Sequence, residues 1–259
     1  MKRSGSMNWN GISAIYKFEM ARARRTLWQS LVAPVITTSL YFLVFGSAIG
    51  SRMTAMAGIG FAAFIVPGLI LMSVLTQSIF NASFGIYFPK FTGTIYELLS
   101  APLSAVETVI AYVGAAVTKA VVLALITLAT ATLFVSFHID HPLLMLIALI
   151  AISTGFCLLG FVIGIWAKNF EQLQVIPLLV VTPLTFLGGV FYSIGSLGEP
   201  WRTVTRLNPI LYLVSGFRWT FFSHADVPLG ASLAVMAGAI LLPLAAIIWI
   251  FRTGYRLKN

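Results

Sequence analysis

Long apolar runs, separated by short polar connections, make up most of this sequence. Six runs reach the ~20 residues that a helix needs to cross a bilayer, and they lie at roughly 28–49, 59–80, 105–135, 142–167, 176–194 and 229–251. They do not alternate between apolar and polar residues as a transmembrane β-strand would. The pattern therefore predicts an all-α integral membrane protein with six transmembrane helices.

The passage WRTVTRLNPILYLVSGFRWTFF at 201–222 is apolar in its middle but contains three arginines, a proline and a glycine. A seventh span there would place the basic C-terminus on the opposite side of the membrane from the basic N-terminus. Backbone that enters a bilayer partway is tolerated where neighbouring helices cover it. We therefore predict one or two re-entrant helices between the fifth and sixth spans.

The first 27 residues combine helical periodicity with basic charge. Their apolar residues recur every three to four positions, at Trp9, Ile12, Tyr16, Met20, Ala23 and Leu27. Lys17, Arg24 and Arg25 fall mostly off that stripe, and Arg22 adds a further positive charge. This arrangement predicts a helix that lies in the cytoplasmic interface of the membrane. The alternative is a basic tail that only sets orientation.

Composition agrees with a membrane protein, since 59% of the 259 residues are hydrophobic and only 9% are charged. The net charge of +9 does not indicate a nucleic-acid surface, because the basic residues cluster beside the spans. Eleven Lys and Arg residues fall on one side of the six-span arrangement and four on the other, with Lys119 inside a run. By the positive-inside rule both termini, including a tail at 252–259, are cytoplasmic. No polar stretch suits a soluble domain, so 1–259 is predicted to form a single membrane domain.

The chain carries no motif of a known enzyme class. It has neither the phosphate-binding loop G-x-x-x-x-G-K-[ST] nor the H-E-x-x-H pair of a zinc hydrolase. His138 and His141 flank Asp140 in a short outer connection, where a turn or head-group contact is favoured over a metal site. Cys157, the only cysteine, lies inside the fourth run and is expected to be a small core residue. The sequence predicts no catalytic residue, no metal and no cofactor held by this chain.

Lys119 is the one ionisable residue placed deep in an apolar run. Glu107 precedes it by twelve residues, which is ~18 Å along a helix and too far for a direct pair within that helix. Lys119 is therefore expected either to snorkel or line a helix contact, or to lie on a substrate path. Carriers coupled to ions normally pair such charges, so a lone lysine argues against that class.

A short semi-polar passage, FTGTIYELLSAPLS at 91–104, separates the second and third runs. Thr94 and Glu97 match the S/T-x-x-E capping box, and Pro102 disfavours helix at the residue before it. These signals predict a two-turn helix over 95–101, with one apolar face formed by Ile95, Leu98, Leu99 and Pro102, and with Tyr96 and Ser100 pointing elsewhere. So short a helix needs a surface to pack on. Either the protein's own core or a cytoplasmic partner could provide it, and the length of the connection favours the partner.

Three motifs, in this order, resemble the ABC-2-type permeases, in particular the bacterial inner-membrane members of that family. They are E-L-L-x-A-P-L at 97–103, L-G-G-V-F-Y at 187–192 and L-N-P-x-x-Y-L-V-x-G-F-R at 207–218. The resemblance implies six spans, an N-terminal interfacial helix and re-entrant helices. It also implies that 92–104 is a coupling helix, which docks in a groove of a separate ATP-binding subunit.

The same resemblance implies an exporter built from two copies of this chain and two ATP-binding subunits, which would hold the ATP and Mg²⁺. The substrate would pass at the seam between the two copies, and membrane lipids would be further partners of the chain. Candidate residues for that path are Lys119, Phe186, Phe191, Tyr192 and Tyr212, although helix packing and interfacial anchoring are alternative roles for the aromatic ones. A channel or secondary carrier that needs no partner is the alternative function.

Overall fold

The computed structural model describes residues 7–49 and 58–255, and every regular element in that part of the chain is a helix. The helices are α1 (Trp9–Arg25), α2 (Leu27–Tyr41), α3 (Phe61–Thr92), α4 (Ile95–Ser100), α5 (Ala105–Thr132), α6 (Pro142–Trp166), α7 (Phe170–Ile176), α8 (Thr182–Phe186), α9 (Trp201–Arg206), α10 (Pro209–Phe222) and α11 (Leu229–Thr253). Lys2, Arg3, Arg52, Arg256 and Lys258, which enter the charge count, lie outside the described residues.

Four helices in the described part of the chain, α3, α5, α6 and α11, are long and apolar enough to cross a membrane. They correspond to the second, third, fourth and sixth apolar runs. The first and fifth runs are also helical, but their apolar stretches are shorter, at Val32–Phe45 and Phe170–Phe186. The all-helical membrane fold is thus confirmed, and in the described part of the chain four of the six predicted runs form helices of spanning length.

Two π-helical stretches explain part of that difference. Phe42–Ile49 continues α2, and Pro177–Val181 joins α7 to α8. A proline lacks the N–H that an α-helix needs in its interior, and the second stretch begins at Pro177. Such stretches interrupt the regular ladder of hydrogen bonds, so the fifth run does not form one long α-helix.

The fifth helical segment is also displaced from its predicted position. It begins at Phe170, where the side chain of Asn169 accepts a hydrogen bond from the backbone N–H of Gln172 at 3.0 Å. It ends at Phe186 rather than near residue 194. The chain then turns through Gly189, whose φ of +77° is a backbone conformation that favours glycine.

α3 extends past its predicted end near residue 80 and stays helical to Thr92. These additional turns are hydrogen-bonded to the C-terminal end of α6. The hydroxyl of Tyr87 donates to the carbonyl of Lys168 at 3.0 Å, and the ammonium of Lys90 donates to the carbonyl of Ile165 at 2.9 Å. A cation beside the last carbonyls of a helix is electrostatically favourable, so this contact stabilises both helix ends.

The core is built around α3, which packs between α5 and α6. Gly160 and Gly164 of α6 lie against the backbone of Ile79 and Ser83 of α3, where an added Cβ would overlap main-chain atoms. Small residues permit this close approach of membrane helices, which lack a hydrophobic driving force between them. Cys157, one turn earlier on α6, is fully buried and takes the core position expected for it.

The passage between the fifth and sixth runs forms two helices, α9 and α10, in keeping with the predicted number. The connection between α5 and α6 packs on the end of α10, since the backbone N–H of His141 donates to the carbonyl of Thr220 at 3.0 Å. The imidazole of His141 also stacks on Trp219, with 4.8 Å between the ring centroids.

α11 is the least covered of the long helices, and its large apolar side chains, such as Leu233 and Leu242, face outward.

Candidate functional site

The N-terminal helix α1 packs along the flank of α5, and its contacts advance in the same direction on both helices. Asn8 meets Glu107, the hydroxyl of Tyr16 lies 3.0 Å from that of Thr118, and further on Glu19 reaches Lys119. The buried residues of α1 are Ile12 and Glu19. The amphipathic helix predicted from the sequence is therefore present, and its inward face carries a carboxylate.

Glu19 is an acceptor for two cations. Its Oε2 lies 2.6 Å from Arg22 Nη2 and 3.0 Å from Lys119 Nζ, and the Glu19 side chain is only 2% exposed. The guanidinium of Arg22 also lies over the ring of Phe84, 4.9 Å from its centroid. Burying a carboxylate is unfavourable unless it is paired and hydrogen-bonded. The pairing of Glu19 with both cations meets that requirement and fixes α1 to the middle of α5.

The pairing of Lys119 with Glu19 was not predicted from the sequence, because the two residues are 100 positions apart. A signal was available, however. Glu19 lies three residues after Tyr16 and four before Ala23, so helical spacing puts it on the apolar stripe. A lone carboxylate on a buried helix face needs a cationic partner. Lys119 was the deep cation for which the sequence showed no partner.

The four basic residues assigned to the interfacial helix divide into two groups. Lys17, Arg24 and Arg25 are exposed, whereas Arg22 turns inward to Glu19. Trp9 and Phe18 accompany the exposed cations, with 66% and 61% of their surface accessible. Trp9 therefore does not share the buried stripe as predicted. An outer face of aromatic and basic side chains is typical of a helix at a membrane interface.

Glu107 joins the start of α1 to the start of α5. Its Oε1 accepts a hydrogen bond from the backbone N–H of Asn8 at 2.5 Å, and its Oε2 accepts one from the N–H of Ser104 at 2.6 Å. Ser104 Oγ in turn accepts from the N–H of Glu107 at 3.2 Å, which completes a capping box. Glu19 and Glu107 thus hold α1 against α5 at two points along its length.

The capping box predicted at Thr94 and Glu97 is wrong. Thr94 makes no side-chain cap, and its hydroxyl contacts the carbonyl of Pro89 and the hydroxyl of Thr92 instead. Its backbone is already helical, with φ of −67° and ψ of −8°, so the side chain is not directed at the first N–H groups of the helix. The S-x-x-E box forms ten residues later, at Ser104 and Glu107.

α4 is the short helix predicted between the second and third runs, and it ends at Ser100. Ile95 is buried and Leu98 is partly buried, both packed in a hydrophobic cluster with α3, α5 and α6. Tyr96, Glu97 and Pro102 are exposed, as is Thr94 at the start of the helix. Ile95 is thus covered by the protein itself, which leaves it no free surface for a partner. The side chain of Leu99 lies outside the described residues.

The aromatic residues assigned to the substrate path do not lie with Lys119. Phe186 stacks on Phe191, and Phe191 in turn contacts Tyr41 at the end of α2 and Phe45 in the π-helical stretch that follows. Thr26, at the start of α2, lines a cavity with Lys119, and Tyr41 lies fifteen residues further, or ~22 Å along a helix. The structure separates these residues into two sites.

The remaining two assigned residues hold the backbone near that aromatic cluster. The hydroxyl of Tyr192 donates to the carbonyl of Leu187 at 2.9 Å, and that of Tyr212 donates to the carbonyl of Arg206 at 2.9 Å. Both contacts are local, within six residues of the chain. They give each tyrosine a positioning role in the turns around α8 and α9.

A second buried ion pair lies between the fifth and sixth runs. Arg218 Nη1 donates to Asp226 Oδ2 at 2.8 Å, and Nη2 donates to the carbonyl of Gly189 at 2.6 Å. The guanidinium also sits 3.8 Å from the ring centroid of Phe64, a cation–π contact. Burial lowers the pKa of Arg218 to about 10, and the carboxylate of Asp226 opposes that shift. The sequence alone did not predict this pairing of Arg218 with Asp226.

A cavity of about 650 Å³ opens between α1, α3 and α5. Its described lining includes Arg22 and Arg24 of α1, Gln77 and Asn81 of α3, and Lys119 of α5. Apolar and aromatic side chains complete the walls, namely Met20, Ala23, Phe80, Phe84, Phe88, Val122 and Leu123. This arrangement of a few convergent polar groups in an apolar concavity is that of a small-molecule binding site.

These features define an all-helical, multi-pass membrane protein with a polar cavity between its helices. A family model described as ABC-2 type transporter matches residues 10–222. The chain is 39% identical over 228 residues to the inner membrane transport permease YadH of Escherichia coli (strain K12), with 88% of this chain and 89% of that protein covered. It therefore belongs to the ABC-2 type transporter family.

More distant relatives cover as much of the chain. Nodulation protein J of Neorhizobium galegae is 23% identical over 243 residues, with 93% of this chain and 91% of that protein covered. Nodulation protein J of Rhizobium meliloti (strain 1021) is 22% identical over 241 residues, with coverages of 91% and 90%. The predicted family is confirmed, and the chain is a membrane transport subunit of the inner membrane.

Proposed function

We propose that this chain is the permease subunit of an ATP-driven exporter, which works as a homodimer with a separate ATP-binding subunit. Membership of the ABC-2 type transporter family supports this proposal. ATP and Mg²⁺ would be held by the partner, and both termini of this chain would be cytoplasmic. The substrate would cross at the seam between the two copies of the permease.

The observation that carries the proposal is the two-sided environment of α4. One face of this helix packs on the protein through Ile95 and Leu98, while Tyr96 and Glu97 are exposed. An isolated helix of six residues is not stable in water, so the packed face maintains its shape. The exposed face then provides a preformed surface for the ATP-binding subunit.

The connections beyond α4 support a role in transmitting movement. Pro102 and Ser104 follow α4 directly, and Asn8 contacts Pro102 and Glu107 at the same point. A displacement of α4 would therefore move the starts of α1 and α5 together. α5 also carries Lys119 and one wall of the cavity, so the movement would reach a ligand site.

Co-expression with the ATP-binding subunit encoded beside this chain tests the proposal. We expect the two proteins to co-purify, and we expect Glu97→Arg to reduce the stimulated ATP turnover at least tenfold while the chain still inserts in the membrane. Glu199→Arg is the matched control, because Glu199 is also an exposed glutamate but belongs to the connection before α9 and not to α4. Absence of co-purification, or equal turnover for both variants, would contradict the proposal.

One observation favours a second function, a carrier driven by an ion gradient. Lys119 has a buried carboxylate partner in Glu19, and pairs of this kind are used by coupled carriers. Purified chain in proteoliposomes separates the two functions. A carrier would move substrate down an imposed proton or sodium gradient without nucleotide, whereas the proposed permease would not.

A further inference from the structure

The cavity between α1, α3 and α5 lies at mid-height of the long helices. Gln77 is fifteen residues before the end of α3 at Thr92, and Lys119 is fourteen residues after the start of α5 at Ala105. Since α4 connects these two ends, both side chains lie ~21 Å from it along the helices. Phe88 lines the cavity only one turn before the end of α3, so the cavity extends from mid-helix toward α4.

The charged lining of the cavity is entirely cationic among the described residues. Arg22, Arg24 and Lys119 contribute side chains to it, and no described lining residue is acidic. Glu19 holds Arg22 and Lys119 through Oε2 alone. Among the described residues, the buried Nη1 of Arg22 finds no hydrogen-bond acceptor, and the buried Oε1 of Glu19 finds no donor. The cavity therefore contains donor capacity that the described part of the protein does not use.

Two carboxamides add to that capacity. Gln77 and Asn81 are four residues apart on α3 and both line the cavity, because residues at this spacing share a helix face. Neither side chain is hydrogen-bonded to another described residue. Each offers an N–H donor at the level of the cations, so oxygen atoms of a bound group can be met from both α3 and α5.

The remaining wall is aromatic and aliphatic. Phe80, Phe84 and Phe88 form a ladder along α3, with ring centroids 6.0 and 5.5 Å apart. Val122 and Leu123 face them from α5. This surface suits a hydrocarbon chain rather than a second polar group. A ligand that satisfies both walls carries an anionic head and an apolar body.

We infer that this cavity binds an anionic amphiphile, whose phosphate or carboxylate meets Arg22, Lys119 and the carboxamides while its apolar part lies along the three phenylalanines. Charge complementarity selects the head group, since an anion next to a guanidinium and an ammonium forms strong charge-assisted hydrogen bonds. The inference concerns binding to this chain alone, so it stands apart from the proposed role with an ATPase.

The position of Glu19 gives the inference a distinctive consequence. Its carboxylate already occupies the anion-binding atoms of Arg22 and Lys119, so it competes with the head group of the ligand. Removing the negative charge of Glu19 should therefore increase affinity, while removing the positive charge of Lys119 should decrease it. If the cavity bound no anion, removing the charge of Glu19 and removing the charge of Lys119 would not change the ligand affinity in opposite directions.

Binding can be measured on the full-length chain in neutral detergent, without nucleotide or ATPase. The probe is lysophosphatidylglycerol with a fluorescent acyl chain, competed with unlabelled lysophosphatidylglycerol, lysophosphatidylcholine of equal chain length, and glycerol 3-phosphate. We expect lysophosphatidylglycerol to compete at least about tenfold better than either alternative, which is the effect of roughly one charge-assisted contact. Equal competition by lysophosphatidylcholine would overturn the anionic selectivity, and equal competition by glycerol 3-phosphate would overturn the need for an apolar part.

Variants locate the site. We expect Arg22→Gln and Lys119→Gln each to weaken binding about tenfold, and Glu19→Gln to strengthen it. Lys17→Gln is the matched control, because Lys17 is an exposed cation on the same helix. Should Lys17→Gln weaken binding as much as Arg22→Gln, the probe is held by general surface charge and the inference fails.

A variant outside the ion pair covers the case in which Lys119→Gln fails to fold. Asn81→Leu keeps the size of the side chain and every charge, but removes one of the two carboxamides from the cavity. We expect it to weaken binding several-fold with unchanged thermal unfolding. Unchanged affinity in this variant would contradict the placement of the head group between α3 and α5.

Discussion

Glu19 and Lys119 are 100 residues apart in the sequence and meet at 3.0 Å. Their contact joins the amphipathic N-terminal helix to the middle of a helix that is long enough to span the membrane. It also places α1, α3 and α5 around one cavity. The N-terminal helix is consequently part of the helix bundle and of its polar interior, in addition to presenting an aromatic and basic outer face.

Breaking this pair is expected to loosen α1. Lys119→Met leaves the buried carboxylate of Glu19 with Arg22 alone, which should destabilise the protein by about 1–3 kcal/mol. Glu19→Gln should cost more than Lys119→Met, because it leaves the cations of Arg22 and Lys119 close together with no carboxylate between them. Unfolding in detergent gives both values. A cost for Lys17→Met as large as that for Lys119→Met would show that the buried pair has no special role.

The capping box at Ser104 and Glu107 can be tested by comparing substitutions at Ser104 and Thr94. Ser104→Ala should cost about 1 kcal/mol, the usual effect of a lost N-cap, and should speed amide exchange at the start of α5. Thr94→Ala should change neither quantity, since Thr94 does not cap α4. Glu107→Ala should also speed exchange at the start of α1, where it accepts the N–H of Asn8. If Thr94→Ala had the larger effect, the sequence-based assignment of the box would be restored.

The ion pair of Arg218 and Asp226 is expected to be essential for the stability of the region between α8 and α11. Arg218→Met leaves Asp226 buried without its cation, a change that typically costs about 3–5 kcal/mol. Arg218→Lys should not rescue, because an ammonium cannot bind Asp226 and Gly189 through two separate nitrogens. The midpoint of thermal unfolding is the measurement, and Arg206→Met, at an exposed position, is the control. A full rescue by lysine would contradict this account.

The contact of α6 with α3 predicts a difference between two glycines. Gly164→Ala should destabilise the protein by about 1–3 kcal/mol, because the new methyl group meets the backbone of Ser83. Gly238→Ala, on α11, has open space around it and should be neutral or stabilise by about 0.5–1 kcal/mol, since alanine favours a helix. Parallel unfolding curves compare the two variants, and equal losses would contradict the close packing of α3 and α6.

Hydropathy located the helices well, because a segment that crosses a bilayer must be long and apolar. It misplaced the end of α3 because Asn81, Ser83 and Gly85 lower the hydropathy of a segment that remains helical through its contacts with α6. It also overestimated the fifth helix, whose interruption at Pro177 and turn at Gly189 depend on backbone geometry. The presence of membrane helices could therefore be predicted from the sequence more readily than the number of helices that are long enough to span the membrane.

The site was less accessible to sequence reasoning. The lone lysine at 119 was noticed, but its partner, Glu19, is on a helix distant in sequence, and neither spacing nor motif links the two. The substrate path implied by the family resemblance combines the aromatic residues with Lys119, whereas the structure puts Phe186 and Phe191 at the other end of α2. The short helix at 95–101 could be predicted from local signals, but the surface that its apolar face packs on could not, because packing on the core requires tertiary structure.

The central claim is that the exposed face of α4 docks on an ATP-binding subunit, and site-directed cross-linking tests it most directly. Cys157 is the only cysteine and is buried, so a Cys157→Ala background permits Glu97→Cys or the control Glu199→Cys to carry a thiol-linked photoreactive group. In membranes that contain the co-expressed ATP-binding subunit, we expect a cross-link from position 97 and none from position 199. Equal yields at the two positions, or no cross-link at position 97, would contradict the account.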